Sequence, residues 1–211
     1  MIEVFLYSNI FKTLLVIFGY ICFRKQINFL IVGLTGKWRI QRGLYKKCKL
    51  NDFPIINDIY VPVGQNKYKK VDTIIFGNKY IYIITEIKEM GKIITSSSDE
   101  KWRLVCQGKL RNINNPLIHN RKVINNLVGI VDNLEEKDLK SMVIITDTCK
   151  FNEIEDNDKE YVVSEKMAIK KILQIEKESD EDIIDPSEID RYCKAFYDYG
   201  LKAEKLINNR R

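Results

Sequence analysis

Two acidic residues and a lysine lie on a pair of adjacent β-rich segments. Asp72 belongs to the first segment, VDTIIF (71–76), and Glu86 and Lys88 belong to the second, IYIITEIK (81–88). Two converging carboxylates repel each other unless a cation lies between them, and oxygen ligands favour Mg²⁺ or Mn²⁺ over zinc. Such an ion can polarise a phosphodiester and activate a bound water, while a lysine beside it can orient that nucleophile. The three residues could therefore support metal-dependent phosphodiester hydrolysis.

The pairing of the two segments decides whether these side chains meet. A two-residue turn at 77–78 would place the second carboxylate on the opposite face of the hairpin from the first. A three-residue turn at 77–79 pairs Phe76 with Tyr80, and all three polar residues then share one face. We expect this second register. Spacing alone also fits a solvent-facing strand end whose Glu–Lys pair contributes about 0–1 kcal/mol.

Composition favours one globular domain with an appendage. The chain has 211 residues, of which 45% are hydrophobic and 30% charged. The net charge of +6 predicts a polyanion or an anionic membrane surface as a partner, although a solvated basic helix face fits equally well. The basic residues that we expect to contact nucleic acid are Arg39, Arg42, Lys46 and Lys47.

Cysteine and histidine usage excludes several kinds of site. The five cysteines are widely spaced and form no CxxC pair, which argues against a disulfide framework and structural zinc and fits a reducing cytoplasm. His119 is the only histidine, so any Ser–His or multi-histidine site would have to use that residue.

Residues 1–34 form a hydrophobic N-terminal segment. Val4 to Phe23 contains one charged residue, Lys12, and is directly followed by Arg24 and Lys25. This length can span a bilayer, and the positive-inside rule would then place the main domain in the cytoplasm. Because no small-residue cleavage site follows, we expect an anchor to the inner face of a bacterial cell membrane rather than a removed signal peptide. A hydrophobic helix packed on the domain is the alternative.

The remaining periodicity predicts a sheet faced by helices, with residues 35–150 as the core and residues 151–211 completing or extending it. Trp38, Tyr45 and Trp102 are expected in the core, and residues 176–185 read as a solvated acidic linker. The expected elements are a helix to about residue 50, strands at 55–63, 71–76 and 80–88, a hairpin over 91–97 and 101–106, a helix over 114–134, strands at 141–146 and 160–163, and helices after 164 and over 186–207.

Five separated segments, in this order, resemble the nuclease-related domain (NERD) family of the PD-(D/E)xK restriction-endonuclease-like superfamily. They are Gly36-Lys37 with Ile40 and Leu44; Ile56-Asn57-Asp58-Ile59; Val71-Asp72-Thr73; Ile84 to Ile93, with Trp102 after it; and Asn115 to Asn120. The likeness covers residues 36–127 closely. It implies an α/β fold with a restriction-endonuclease-like central mixed β-sheet flanked by helices, preceded here by an N-terminal hydrophobic helix.

The resemblance also implies roles for individual residues. Asp72 and Glu86 would be metal ligands, Lys88 the catalytic lysine, and Mg²⁺ (or Mn²⁺) the cofactor. Lys37 and His119 are accessory candidates that depart from the family pattern. Lys37 stands where the family has a helical glutamate, and thus brings a cation toward the expected metal. His119 replaces a glutamine and becomes charged near pH 6.5.

A third departure is Thr73, which replaces the histidine that usually follows the aspartate in the family. The expected function is nevertheless that of a Mg-dependent nuclease-like phosphodiesterase acting on DNA, with nucleic acid as its partner. The alternative is a catalytically degenerate nuclease fold that binds nucleic acid or protein. A membrane-associated interaction protein without a nucleic-acid role is a third hypothesis.

Overall fold

A computed structural model describes residue 13 and residues 35–64, 67–94, 99–106, 108–151 and 160–208. The membrane span expected over residues 4–23 lies outside the described residues, apart from residue 13. None of the helices in the described ranges is long and apolar enough to cross a membrane.

Along the described chain, a first helix is followed by six strands, a second helix, three more strands and two final helices. The strands are β1 (Ile55–Gly64), β2 (Lys67–Phe76), β3 (Ile81–Ile87), β4 (Gly91–Ile94), β5 (Lys101–Cys106), β6 (Lys109–Asn114), β7 (Leu139–Ile145), β8 (Cys149–Phe151) and β9 (Glu160–Ser164). Residues 35–49 are helical and are named α1. The other helices are α2 (Pro116–Val128), α3 (Ala168–Glu178) and α4 (Pro186–Asn208), with a 3₁₀ turn at Glu136–Asp138.

These strands form two mixed sheets. The larger sheet has the order β1-β2-β3-β7-β9, with the first three strands antiparallel and the last three parallel. The smaller sheet has the order β6-β5-β4-β8, and only β4 and β8 pair in parallel. Because β4 follows β3 and β8 follows β7 along the chain, the second sheet begins where the parallel core of the first one ends. The fold is therefore mixed α/β, with two sheets where the sequence predicts one central sheet.

Helices cover both faces of the larger sheet. The apolar residues of α1 and α3 pack on one face, against a cluster that includes Tyr82, Ile84 and Ile144. The apolar residues of α2 and α4 pack on the other face, against Ile74 and Ile83. With both faces covered, β3 and β7 are buried along almost their whole length, which explains their continuous apolar runs.

Several sequence predictions need correction. Trp102 is buried as expected, but Trp38 is 59% exposed and Tyr45 is 52% exposed, so the outer face of α1 carries two aromatic rings. Strand β6 was not predicted, because most of its side chains are exposed and it lacks apolar alternation. The acidic tract is not wholly a solvated linker. Its first residue, Glu176, is buried at the end of α3 and accepts hydrogen bonds from the hydroxyl of Tyr82 and the backbone N–H of Lys79.

The predicted hairpin exists, but its predicted register is wrong. Phe76 pairs with Ile81 rather than with Tyr80, and the register continues to the pair of Thr73 with Ile84. The connection therefore occupies residues 77–80, closed by a hydrogen bond of 2.8 Å from the N–H of Gly77 to the carbonyl of Tyr80. With this register, regular alternation would place Asp72 on the face opposite Glu86.

Candidate active site

Asp58 and Asp72 lie opposite each other where the regular pairing of β1 with β2 is interrupted. Asp58 has a φ of 57°, in the left-handed region that aspartate tolerates better than most residues. Ile56 and Ile59 lie three residues apart, yet both pack on the face covered by α2 and α4. In a regular strand, residues three apart point to opposite faces. The irregular step turns the aspartates toward α1, where Lys37 contacts both of them.

The same irregularity brings Asp72 to Glu86. In β2, Val71 and Ile74 also lie three residues apart and share one apolar cluster, so the strand changes face between them. Asp72 Oδ2 then accepts a hydrogen bond from the backbone N–H of Glu86, with 3.1 Å between the two atoms. The sequence predicts that the carboxylates of Asp72 and Glu86 converge through a register that the structure does not have. What the structure shows is the Asp72 carboxylate at the backbone N–H of Glu86, brought there by a local break in strand alternation.

The side chain of Glu86 is almost completely buried. Its residue is 9% exposed, and Oε1 accepts a hydrogen bond of 2.7 Å from the hydroxyl of Thr73. Oε2 is buried and has no hydrogen-bond partner among the described residues. Burial raises the pKa of Glu86 to about 7, against the hydrogen bond from Thr73, and the nearby charge of Asp72 adds to the increase. An unpartnered buried oxygen beside a second carboxylate is an arrangement that a cation would stabilise.

Asp58, Asp72 and Glu86 together are called the acidic group. Lys37 is the cation that contacts two of its members. Its ammonium is paired with Asp58 Oδ1 and lies 3.5 Å from Asp72 Oδ1. Asp58 also forms an ion pair of 2.7 Å with Lys70 and accepts a hydrogen bond of 3.2 Å from Gln41. Burial alone would raise the pKa of Asp58, but the hydrogen bonds from Lys37, Lys70 and Gln41 outweigh burial and lower it to about 2.

Lys88 follows β3 and lies beside α1. A Cβ atom added to Gly36 would be 3.2 Å from the Cβ of Lys88, so the first described turn of α1 passes close to this lysine. Within the described part of the chain, Lys88 forms no ion pair with Asp72 or Glu86. Its backbone is fixed by the neighbouring hydrogen bond of 3.0 Å from the N–H of Thr146 to the carbonyl of Ile87.

His119 lies on α2 and therefore on the opposite side of the larger sheet from α1. Its Nε2 is 3.1 Å from the backbone carbonyl oxygen of Lys70. Burial lowers the pKa of His119, against the hydrogen bond with the Lys70 carbonyl, and the charge of Lys69 lowers it further. The position fits a residue that satisfies a strand carbonyl, and the structure does not bring its ring into hydrogen-bond contact with the acidic group.

The basic residues of α1 lie on its exposed side. Arg39 forms an ion pair of 3.0 Å with Glu165, and the guanidinium of Arg42 lies 4.8 Å from the ring centroid of Trp38. The other two candidates, Lys46 and Lys47, are exposed. This face thus combines cations with an exposed aromatic ring, a combination that suits nucleic-acid backbones and bases.

Asp58 and Asn120 lie in two of the family motifs, and the sequence alone predicts no role for either residue. Asp58 interrupts an apolar strand, and its carboxylate joins the acidic group. Asn120 is buried in α2, where its side-chain amide N donates to the carbonyls of Ile83 and Met142 and its oxygen accepts from Thr85. A polar residue inside an apolar stripe is the sequence signal that could have identified Asp58 or Asn120.

Asp72 and Glu86 carry oxygen donors of the kind that hard cations prefer. Among the residues that the structure describes, no three His, Cys, Asp or Glu side chains are grouped closely enough to hold a metal ion. Two carboxylates suffice for Mg²⁺, which is commonly bound by one or two of them and keeps several waters. Oε2 of Glu86 lacks a partner among the described residues, so the chemistry of these donors is compatible with one Mg²⁺ or Mn²⁺ ion.

The fold and the acidic group agree with the comparison with protein families. The profile described as "Nuclease-related domain" (NERD) matches residues 32–146, which is more than half of the chain. The chain belongs to the nuclease-related domain family, which is associated with the PD-(D/E)xK superfamily. Comparison with curated proteins and with solved structures gave no match.

Proposed function

We propose that the protein is a metal-dependent nuclease that hydrolyses phosphodiester bonds in DNA. The observation that carries this proposal is the contact of the Asp72 carboxylate with the Glu86 N–H, next to a buried Glu86 oxygen that has no partner among the described residues. Membership of the nuclease-related family supports the same class of chemistry.

Each residue of the site would have a separate task. Asp72 and Glu86 would hold a Mg²⁺ or Mn²⁺ ion, and the hydroxyl of Thr73 keeps the Glu86 carboxylate in one orientation. When bound, the ion would polarise the scissile phosphate and lower the pKa of a water. Lys88 would orient the attacking water or donate to a phosphate oxygen, because it leaves β3 on the same side as Glu86 and next to α1.

The DNA backbone would lie along the exposed side of α1. Arg42, Lys46 and Lys47 would contact phosphates, and the exposed ring of Trp38 would offer a face for stacking. These contacts carry no base-edge recognition, so cleavage should depend little on sequence.

The N-terminal segment would hold this nuclease at the inner face of the cell membrane. The proposal rests on the run of apolar residues from Val4 to Phe23, with Arg24 and Lys25 after it. The test is flotation with lipid vesicles of the full chain and of a chain without residues 1–34. Flotation that persists after the deletion would contradict the anchor.

A second candidate function is binding of nucleic acid without cleavage. The observation in its favour is Lys37, whose ammonium contacts Asp58 and Asp72 where the family has an acidic residue. In that case the same surface would bind DNA, and the acidic group would serve the fold alone.

Cleavage of supercoiled plasmid and of oligonucleotides separates the two candidates. We expect wild-type protein to nick DNA with Mg²⁺ or Mn²⁺ and not with EDTA, and Glu86→Gln and Lys88→Met each to reduce the rate by about 10²-fold or more. Glu204→Gln on α4 is the control for loss of one exposed carboxylate. Equal rates for wild type, Glu86→Gln and Lys88→Met would refute the enzyme, whereas binding without cleavage would favour the second candidate.

A further inference from the structure

The acidic group already contains a positive charge supplied by the chain itself. Lys37 pairs with Asp58 and lies 3.5 Å from Asp72, and its side chain is only 22% exposed. Glu86 is close enough that the charges of Asp72, Lys37 and Asp58 all act on its carboxylate. Lys37 is therefore the cation shared by the acidic residues, rather than a solvent-facing lysine with one partner.

A divalent ion on Asp72 and Glu86 would have to share the Asp72 carboxylate with this ammonium. Asp72 Oδ2 is engaged by the backbone N–H of Glu86, and Oδ1 is the oxygen nearest to Lys37. An ion bound through Oδ1 would be repelled by the ammonium at short range and would lose part of the negative charge that attracts it. The same ammonium stabilises the group when no ion is bound, because it offsets the repulsion between the two aspartates.

We propose that Lys37 is a resident cation that competes with the divalent ion for Asp72 and thereby sets the metal affinity of the site. This inference rests on the proposed function for the ion itself. Without metal, Lys37 balances Asp58 and Asp72. The ion binds only when the ammonium moves away from Asp72, toward Asp58 alone or toward solvent. The wild-type protein consequently binds Mg²⁺ or Mn²⁺ weakly and requires a high concentration of it.

Lys70 provides a matched control for this role. It is also a lysine, and it also forms an ion pair with Asp58, at 2.7 Å, but no ion pair is found between it and Asp72 among the described residues. Replacing either lysine by Met removes one positive charge and keeps most of the apolar stem. Only the Lys37 variant frees the oxygen that the ion needs.

The test is Mn²⁺ binding by isothermal titration calorimetry and by electron paramagnetic resonance of free Mn²⁺, with the full-length protein and no DNA. We expect Lys37→Met to bind Mn²⁺ at least about 10-fold more tightly than wild type, and Lys70→Met to remain within about threefold of wild type. Adding Glu86→Gln to Lys37→Met should abolish the gain. The proposal would be overturned if Lys37→Met bound Mn²⁺ no more tightly than wild type, or if neither wild type nor Lys37→Met bound Mn²⁺.

Thermal unfolding gives an independent readout. Without metal, Lys37→Met should melt at a lower temperature than wild type because its aspartates lose their counter-charge, and Mn²⁺ should raise its melting temperature by more than that of wild type. An identical Mn²⁺-induced shift in the two proteins would also contradict competition. If Lys37→Met binds Mn²⁺ more tightly than wild type but neither protein cleaves DNA, the nuclease proposal fails and the competition by Lys37 still holds. A failure of the proposed function can therefore be distinguished from a failure of this inference.

Discussion

At the scale of single residues, the burial of the Glu86 carboxyl group is the feature that makes it a candidate ligand. Glu86 is 9% exposed and keeps one oxygen without a partner among the described residues. A carboxylate in this position is destabilising in its charged form unless a cation accompanies it. Asn120, by contrast, uses both ends of its buried amide in hydrogen bonds to β3. Nε1 of Trp102 is also buried without a hydrogen-bond partner among the described residues, so it is the carboxylate chemistry of Glu86, together with its burial, that marks it as the candidate ligand.

The raised pKa of Glu86 predicts a dependence of stability on pH. Between its ordinary pKa of 4.5 and the folded-state value of about 7, the folded protein holds a proton that the unfolded chain releases. The free energy of unfolding should therefore fall as pH rises through this range. In Glu86→Gln this contribution is absent, so we expect a flatter profile and a stability above wild type at pH 8 by on the order of 2–3 kcal/mol.

Urea unfolding between pH 4.5 and 8.5 with EDTA measures this difference. Glu204→Gln, which removes an exposed carboxylate of α4, controls for the change in net charge. If the profiles of wild type and Glu86→Gln run parallel over the whole range, the carboxylate is not destabilised by burial.

At the scale of elements, the close approach of α1 to the end of β3 positions Lys88. Gly36 permits this approach, since a methyl group there would meet the Cβ of Lys88 at 3.2 Å. Gly43 lies in the same helix, and a methyl group there would have no atom within 4 Å. The two glycines therefore have the same helix propensity and differ in what surrounds them.

These glycines give a paired prediction. Gly43→Ala should stabilise the protein by about 0.5–1 kcal/mol, because alanine loses less backbone entropy in a helix, and should leave DNA cleavage unchanged. Gly36→Ala should stabilise less and slow cleavage several-fold, because it displaces Lys88. Chemical unfolding and plasmid nicking measure both effects. Equal behaviour of the two variants would show that the helix does not position the lysine.

The elements also show where sequence reasoning succeeds and where it fails. The hairpin, the burial of Trp102 and the last helix are predicted, because apolar periodicity and proline placement act locally. Convergence of the Asp72 and Glu86 carboxylates is predicted from the wrong register, and the structure shows instead a contact of the Asp72 carboxylate with the Glu86 N–H. This contact depends on a four-residue connection and on the left-handed backbone of Asp58, and neither is encoded in the alternation of apolar residues. Long-range partners such as Lys37 with Asp58 are likewise invisible to periodicity.

At the scale of the whole molecule, the outer side of α1 is the surface that we expect to meet a polyanion. The outer side of α1 presents Arg42, Lys46 and Lys47, with Trp38 under the guanidinium of Arg42. The site lies beneath the inner side of the same helix, through Lys37. We expect a polyanion to bind along this outer side, which the helix separates from Asp72 and Glu86.

DNA binding should therefore weaken as the salt concentration rises. The slope of log K against log salt concentration should show whether α1 contacts the phosphates. For Arg42→Ala combined with Lys46→Ala, we expect the slope of log K against log salt concentration to become less steep by about 1.8, from about 0.9 for each lost phosphate contact. Lys194→Ala combined with Lys205→Ala removes two exposed cations from α4, on the other side of the larger sheet, and should leave the slope unchanged. Fluorescence anisotropy at 50–200 mM salt, a range over which phosphate contacts are resolved, makes the comparison. A larger decrease in slope for the α4 variant than for the α1 variant would indicate that DNA binds to α4 instead.

The most direct measurement of the central claim is a crystal structure of the protein grown with Mn²⁺, with an anomalous difference map at the manganese edge. The account predicts one peak bonded to a carboxylate oxygen of Asp72 and to Oε2 of Glu86, at roughly 2.0–2.3 Å, with the Lys37 ammonium withdrawn from Asp72. A map with Lys37 still between Asp58 and Asp72 and no peak at Glu86, at Mn²⁺ concentrations that support cleavage, would contradict it.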